Sequence, residues 1–251
     1  MKNITSTYII RRLAELQVTS FRDEEFSRLF GLTRTRGYQV LHRLVGSGLL
    51  HRIARGRYVV GGPGEGTALG QPFFLATRIV EPSYVGFWSA LAYYGWTEQA
   101  PRVIFVATTR RSGRKVMGAV SVRFVRLRPS RFFGYAAVRQ GNLEFPMAEP
   151  EKAIVDSLLL PEHSGGMELV ASALREALPG LDRSKLESYA MRTGVRSLAS
   201  RLGYLLERSG IASESLRPAS SSVYVKLDPR GPRRGCYDSR WRVLDNLPEA
   251  A

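Results

Sequence analysis

The amino-acid sequence predicts an α+β protein with a small helical N-terminal part and a larger mixed α/β part. Three observations carry this. Apolar residues recur three times at helical spacing before Gly48, then switch to two short strand-like runs. The stretch Gly61-Gly62-Pro63-Gly64-Glu65-Gly66 cannot be the interior of any element. Beyond it, one helix-like run is followed by apolar strand-like runs and then by amphipathic helical runs.

In the N-terminal part, Thr7 to Gln17 carries Ile9, Ile10, Leu13 and Leu16 on one helical face. Ser20 offers a helix N-cap, with Asp23 three residues on in the manner of a capping box. Phe26, Leu29 and Phe30 would form that helix's inner face, and Gly31 would stop it. Thr33 can cap a third helix running to about Ser47, whose inner stripe is Gly37, Val40, Leu41, Leu44 and Val45. Residues 49–53 and 57–60 read as strands joined by Ala54-Arg55-Gly56. Three short helices followed by a hairpin are the order of a winged helix-turn-helix, expected over residues 1–62. Residues 63–82 are expected as a Gly/Pro-containing linker.

Residues 83–251 form the expected second domain. A helix over Tyr84–Tyr94 would bury Val85, Trp88, Leu91 and Ala92. Val103–Ala107 and the alternating Ser121–Leu127 read as strands, with a basic loop, Thr108 to Gly118, between them. One or two further strands fall between Phe133 and Phe145. Pro150 sits at the first position of a helix through Leu160. Further helices are read over Met167–Leu178, Arg183–Arg192 and Val195–Ser209. After the polar run Ser220-Ser221-Ser222, Val223–Leu227 is a late strand, and the end is loop-like and basic.

Charge narrows the function. Lys and Arg total 37 against 22 Asp and Glu, a net charge of +15 on a chain whose 44% hydrophobic content is that of a folded protein. Such an excess points to polyanions: DNA, RNA or an anionic membrane surface. The first 62 residues hold eleven basic residues against four acidic ones, and three of those, Asp23, Glu24 and Glu25, sit together at a helix start where the dipole favours them. With Leu41 facing inward, a turn of about 100° per residue sends Thr35, Arg36, Gln39, His42, Arg43 and Gly46 outward. Arg34 lies in the first turn. Arg forks onto guanine and Gln pairs with adenine, so Arg34, Thr35, Arg36, Gln39, His42 and Arg43 are the candidate base readers. Thr33, Tyr38, Arg52, Arg55 and Arg57 are candidates for the DNA backbone. Two further basic clusters, Arg110, Arg111, Arg114 and Lys115, then Arg230, Arg233 and Arg234, could make secondary nucleic-acid contacts.

Other chemistries find little support. The one cysteine, Cys236, and the three histidines, His42, His51 and His163, have no metal-ligand spacing. Gly64-Glu65-Gly66 lacks the strand, helix and Lys-Ser or Lys-Thr pair of a phosphate loop, so no cofactor is expected. Glu149, Glu151, Lys152 and Asp156 resemble fragments of nuclease sites, which leaves a metal-dependent nucleic-acid-processing enzyme as an alternative. A lone cysteine, the absence of a signal-like start and the lack of a long apolar run lead to the expectation of a cytoplasmic protein without a membrane span.

Several blocks in the second domain are similar to one family. Tyr84-Val85-Gly86-Phe87-Trp88-Ser89-Ala90-Leu91, Tyr93-Tyr94-Gly95-Trp96-Thr97-Glu98-Gln99, Glu151-Lys152-Ala153-Ile154-Val155-Asp156-Ser157-Leu158 and Arg201-Leu202-Gly203-Tyr204-Leu205-Leu206-Glu207 resemble AbiEi antitoxins and transcriptional regulators. So do Leu227-Asp228-Pro229-Arg230-Gly231-Pro232 and Arg240-Trp241-Arg242. The resemblance implies a non-enzymatic antitoxin encoded beside a nucleotidyltransferase-like toxin. Its N-terminal domain would repress its own operon at repeated operator sites on double-stranded DNA. The C-terminal domain is tied to neutralising the toxin, with direct contact left open. A homodimer, and an orphan regulator without a toxin, fit the same residues.

Overall fold

The computed structural model describes residues 4–61, 68–99, 101–117, 119–216 and 223–248. Residues 62–66 of the Gly/Pro stretch and the run Ser220–Ser222 lie outside the described residues. The chain divides into two compact units, one of residues 1–82 with 116–120 and 137–145, the other of 83–115 with 121–136 and 146–251.

The first unit contains α1 (Ser6–Glu15), β1 (Ser20–Arg22), α2 (Asp23–Leu29), α3 (Arg34–Gly46), β2 (Leu50–Ala54), β3 (Arg57–Val60) and α4 (Pro72–Ile79). The three strands form an antiparallel sheet in the order β1-β3-β2. The core is Ile9 and Leu13 from α1, Phe26 from α2, Val40, Leu41 and Leu44 from α3, and Phe21, Leu50 and Tyr58 from the sheet. The expected inner stripe of α3 is thus the buried one, with Val45 at its margin.

Three expectations need correction. Ser20 does not cap α2. It opens β1, whose Phe21 pairs with Tyr58 and stacks its ring on Phe26 at 5.3 Å and on Tyr58 at 5.9 Å. Burying that ring stabilises more than a cap hydrogen bond does, and the helix start moves to Asp23. The Glu25 carboxylate then accepts from the Arg22 N–H at 2.7 Å. Leu29 is not an inner residue, being 43% exposed. The stretch expected as a linker contains α4, started by Pro72 and burying Phe74, Leu75 and Ile79.

Gly37 faces α2. A Cβ there would overlap the Ser27 Oγ but stand 3.4 Å from its Cβ, so glycine leaves room for that hydroxyl between the two helices. The end of this unit is held by charge. The Glu81 carboxylate pairs with Arg22 at 2.6 Å, Arg57 at 2.9 Å and Arg78 at 3.8 Å. Burial pushes the Glu81 carboxyl up, but hydrogen bonds from Arg22 and Arg57 outweigh it, and the net shift is downward.

The remaining elements, in chain order, are β4 (Ser83–Val85), α5 (Phe87–Tyr93), β5 (Ile104–Thr108), β6 (Gly113–Met117), β7 (Val120–Arg126), β8 (Tyr135–Gln140), β9 (Leu143–Ala148), α6 (Pro150–Leu159), α7 (Met167–Ala177), α8 (Arg183–Arg192), α9 (Arg196–Arg208), β10 (Val225–Lys226), β11 (Cys236–Asp238) and β12 (Val243–Asp245). Strands β4 to β9 form one mixed sheet in the order β6-β7-β5-β4-β9-β8, with β5 and β7 parallel. The helix expected from Tyr84 starts only at Phe87. Ser83–Val85 is instead a wholly buried strand paired on both sides, where an extended apolar segment satisfies its backbone. Part of the expected basic loop is strand β6, and the expected loop-like end holds a small sheet, β10-β12-β11.

Helix α6 is buried on every side from Glu151 to Leu158. Inside it, Lys152 and Asp156 form a fully buried ion pair one turn apart. The Tyr84 hydroxyl donates to Asp156 at 2.7 Å, and the Lys152 ammonium lies over the Phe133 ring at 4.7 Å. Burial pushes the Asp156 carboxyl up against the opposing pull of Lys152 and Tyr84.

Two stability predictions follow from these ion pairs. Lys152→Met strands a buried carboxylate and should cost about 3–5 kcal/mol in urea unfolding, most of which Lys152→Met/Asp156→Leu restores. A loss from the single variant below about 1 kcal/mol would show that the pair is dispensable. Glu81, with its carboxyl below the ordinary value of 4.5, stabilises fully above that pH, and the contribution fades as pH falls through its folded value. Wild type should therefore lose stability relative to Glu81→Gln on acidification below about pH 4.5, measured by thermal unfolding at several pH values.

Candidate nucleic-acid interface

The candidate interface is the outer side of α3 and the turn between β2 and β3. The Thr33 hydroxyl caps α3 by accepting from the Arg36 N–H at 3.4 Å. Because Gly37, Val40, Leu41 and Leu44 face the core, Arg34, Thr35, Arg36, Tyr38, Gln39, His42 and Arg43 are all exposed. Arg36 donates to the Gln39 side-chain oxygen at 3.1 Å, so the two lie side by side along the face. Arg43 donates to the Ile4 carbonyl at 3.0 Å, which draws it towards the start of α1. The Arg34 and His42 side chains bond to none of the described residues.

Asp23 fastens the β2–β3 turn. Its N–H donates to the Gly56 carbonyl at 3.0 Å, and its carboxylate accepts from the Tyr38 hydroxyl at 3.1 Å. Gly56 has φ +67, and a Cβ there would stand 3.0 Å from the Asp23 carboxylate. Arg55 at the tip is exposed, with no partner among the described residues, and Arg52 is exposed beside it. Arg57 departs from the expected set. Its side chain is only 18% exposed and is committed to Glu81 and to the Arg78 carbonyl at 3.2 Å. It holds the unit together rather than facing solvent. No acidic residue occurs in the sequence between Glu25 and Glu65, so α3 and the turn carry no carboxylate of their own; Asp23 and Glu24 of α2 line a pocket with Arg34 and Tyr38.

A groove of about 1290 Å³ runs beside α3, lined by Tyr8, Arg12, Phe30, Thr33, Arg36 and Gln39, among others. The sequence reading passed over Tyr8 and Arg12. Tyr8 is 51% exposed with its ring edge-on to Phe30 at 6.4 Å. Their signal was present: Tyr8 and Arg12 are one turn apart, on the flank of α1 adjoining the buried Ile9 and Leu13.

In the second unit, Arg110, Arg111 and Arg114 are exposed and Lys115 half-buried. Arg114 donates to the Ser121 hydroxyl at 3.2 Å. Arg230, Arg233 and Arg234 are exposed, and Arg230 pairs with Glu162 at 3.6 Å. Of the carboxylates that suggested a nuclease, Glu149 and Glu151 meet at Lys185, and Asp156 has other partners. Glu149 accepts from the Tyr189 hydroxyl at 2.6 Å, Glu151 from the Asp182 N–H at 3.0 Å, and Lys185 sits between the two at 3.3 and 3.1 Å. Their hydrogen bonds and charge outweigh burial and raise the Lys185 ammonium above its ordinary value. Asp156 is taken by Lys152 and Tyr84. Among the described residues no group of three His, Cys, Asp or Glu side chains could hold a metal ion.

Fold and site together define an α+β protein with an arginine-faced helical N-terminal unit and a larger sheet-and-helix unit. Residues 84–208 match the AbiEi antitoxin C-terminal domain, and the chain belongs to the AbiEi antitoxin family. The matched segment runs from β4 to the end of α9. The fold is similar to the crystal structure of the RV2827C protein from Mycobacterium tuberculosis, with a TM-score of 0.61 and 15% identity over 98% of this chain and 94% of that one. No curated protein matches the chain. Among the described residues no helix is long and apolar enough to cross a membrane.

Gly56→Ala should destabilise the protein by about 1–2 kcal/mol, because alanine meets the left-handed conformation and the Asp23 carboxylate together. Asn tolerates that conformation, so Gly56→Asn should lose less. Equal losses in urea unfolding would assign the cost to the Asp23 contact alone.

Proposed function

We propose that this chain is a sequence-specific DNA-binding repressor that serves as the antitoxin of a toxin–antitoxin pair. Its first unit acts as a winged helix-turn-helix with α3 in the major groove. The observation that carries this is the acid-free outer face of α3, where Arg34, Thr35, Arg36, Gln39, His42 and Arg43 are all exposed above a helix anchored by its other side. Arg36 and Gln39 provide adjacent donors suited to guanine and adenine edges. Thr33, Tyr38, Arg52 and Arg55 hold the phosphates, whereas Arg57 supports the unit from behind.

Membership of the antitoxin family supports the second half of the proposal. The protein autoregulates its operon at operator repeats, which a homodimer would match in symmetry, and counteracts a nucleotidyltransferase-like toxin in the cytoplasm. Neutralisation belongs to the second unit. Co-expression with a nucleotidyltransferase-like protein encoded alongside should restore growth, and a truncation lacking residues 1–82 should neutralise without repressing.

Binding experiments on promoter DNA test the interface. Arg36→Ala should lower operator affinity and relax one base position by about 1–3 kcal/mol. An equal loss on operator and random duplex would remove base readout from the account. Arg55→Ala should weaken all duplexes alike and flatten the salt dependence by about 0.9 in slope. Arg57→Ala should instead lower thermal stability with the slope unchanged. A flattened slope for Arg57→Ala would return that residue to the DNA.

A further inference from the structure

The C-terminal sheet lies beyond the segment matched by the antitoxin domain, which ends at Arg208. Its central strand β12 pairs with β10 and β11 in a register that aligns Lys226, Leu244 and Tyr237 across the three strands. At one end of this sheet the Tyr224 and Tyr237 rings meet edge to face at 4.9 Å. The Arg242 guanidinium lies over the Tyr224 ring at 5.5 Å and donates to its hydroxyl at 3.4 Å. Tyr237 is 63% exposed, and Arg233 and Arg234 shortly precede it in the chain, both exposed and with side chains bonded to none of the described residues.

The sheet is rigidly backed. Trp241 is buried against Gly203 of α9, where a Cβ would overlap its ring, and its indole N–H donates to Glu207. The three acids among the described residues 223–248 have internal partners. Asp228 accepts from the Arg230 N–H at 2.9 Å, Asp238 from the Trp241 N–H at 2.7 Å, and Asp245 takes Tyr204 at 2.7 Å and Arg208 at 2.6 Å. The outcome is a firmly held aromatic pair set among cations, with the local carboxylates already engaged.

We infer that this surface binds single-stranded nucleic acid, with a base stacked on Tyr237 and the backbone held by Arg233 and Arg234. Stacking needs an unpaired base with a free face, which a duplex interior does not present, so the rings select for single strands. Charge complementarity selects the polyanion, since the unpaired arginines would neutralise phosphates. Stacking is indifferent to the sugar, so RNA and DNA strands bind alike. This surface is separate in chemistry from α3, whose donors suit base edges in an intact groove.

The test is fluorescence anisotropy of the intact protein with labelled oligouridylate and oligothymidylate of about twelve nucleotides, a length within the site size of known stacking platforms. Tyr237→Ala should weaken binding of both strands roughly tenfold, and Tyr237→Phe, which keeps the ring, should bind like wild type. Arg233→Ala/Arg234→Ala should lower the salt slope by about 1.4, at about 0.7 for each phosphate contact on a single strand. Unchanged thermal midpoints will show that the variants fold. Wild-type affinity in Tyr237→Ala, equal losses in Ala and Phe, or binding to RNA but not DNA would each overturn the proposal.

Discussion

The burial of one side of α3 is the constraint on which the rest of the first unit depends. Gly37 admits α2 to contact, and Val40, Leu41 and Leu44 lock the helix into a core completed by the Phe21, Phe26 and Tyr58 rings. A helix anchored this way cannot rotate, so the outward position of Arg36, Gln39 and Arg43 is a consequence of packing on the other side. Those arginines contribute nothing to the core. Their cost to stability is mutual repulsion, which a protein tolerates where a polyanion is the partner.

Arginine is abundant in this chain, and the structure separates its uses. Arg22, Arg57 and Arg78 converge on Glu81, a cluster that would be repulsive without that carboxylate. Arg183, Arg208 and Arg240 have Glu187, Asp245 and Glu207. Arg34 and Arg55 have no such partner among the described residues, and they lie where acidic residues are missing from the sequence. A net charge of +15 is therefore less informative than its distribution. What distinguishes a binding face from a solvated one is arginine without a local carboxylate, held on an element that cannot move.

Much of this was legible in the sequence, because helical periodicity reports burial directly. The stripe from Gly37 to Leu44, the start of α6 at Pro150 and the span of α8 over Arg183–Arg192 all follow from local pattern. The misreadings share one cause, which is pairing at a distance. Ser20–Arg22 looks like a cap and becomes a strand because β3 lies alongside. Ser83–Val85 continues a helical apolar pattern and becomes extended because β5 and β9 flank it. Arg57 reads as one more wing arginine, since its partner Glu81 is far along the chain. The Glu151-Lys152 and Asp156 run suggested a metal site, and only the fold shows that Asp156 serves Lys152 while Glu151 serves Lys185. Tyr8 and Arg12 line the groove from α1, and which flank of α1 meets α3 depends on helix packing that local pattern does not report.

The two candidate surfaces also differ in how the chain builds them, which argues for different partners. On α3 the polar groups project from a helix narrow enough for a major groove, with Arg and Gln as the main donors and the aromatic Tyr38 tied back to Asp23. On the C-terminal sheet the exposed group is a ring, Tyr237, met edge-on by Tyr224, in a segment whose Trp241 packs against Gly203 of α9. A ring held in that way offers little to paired bases and much to an unpaired one. A repressor that needed only duplex contacts would have no use for an exposed tyrosine among arginines whose neighbouring carboxylates are already engaged. That geometry suits a second, single-stranded ligand beside the duplex proposed for α3.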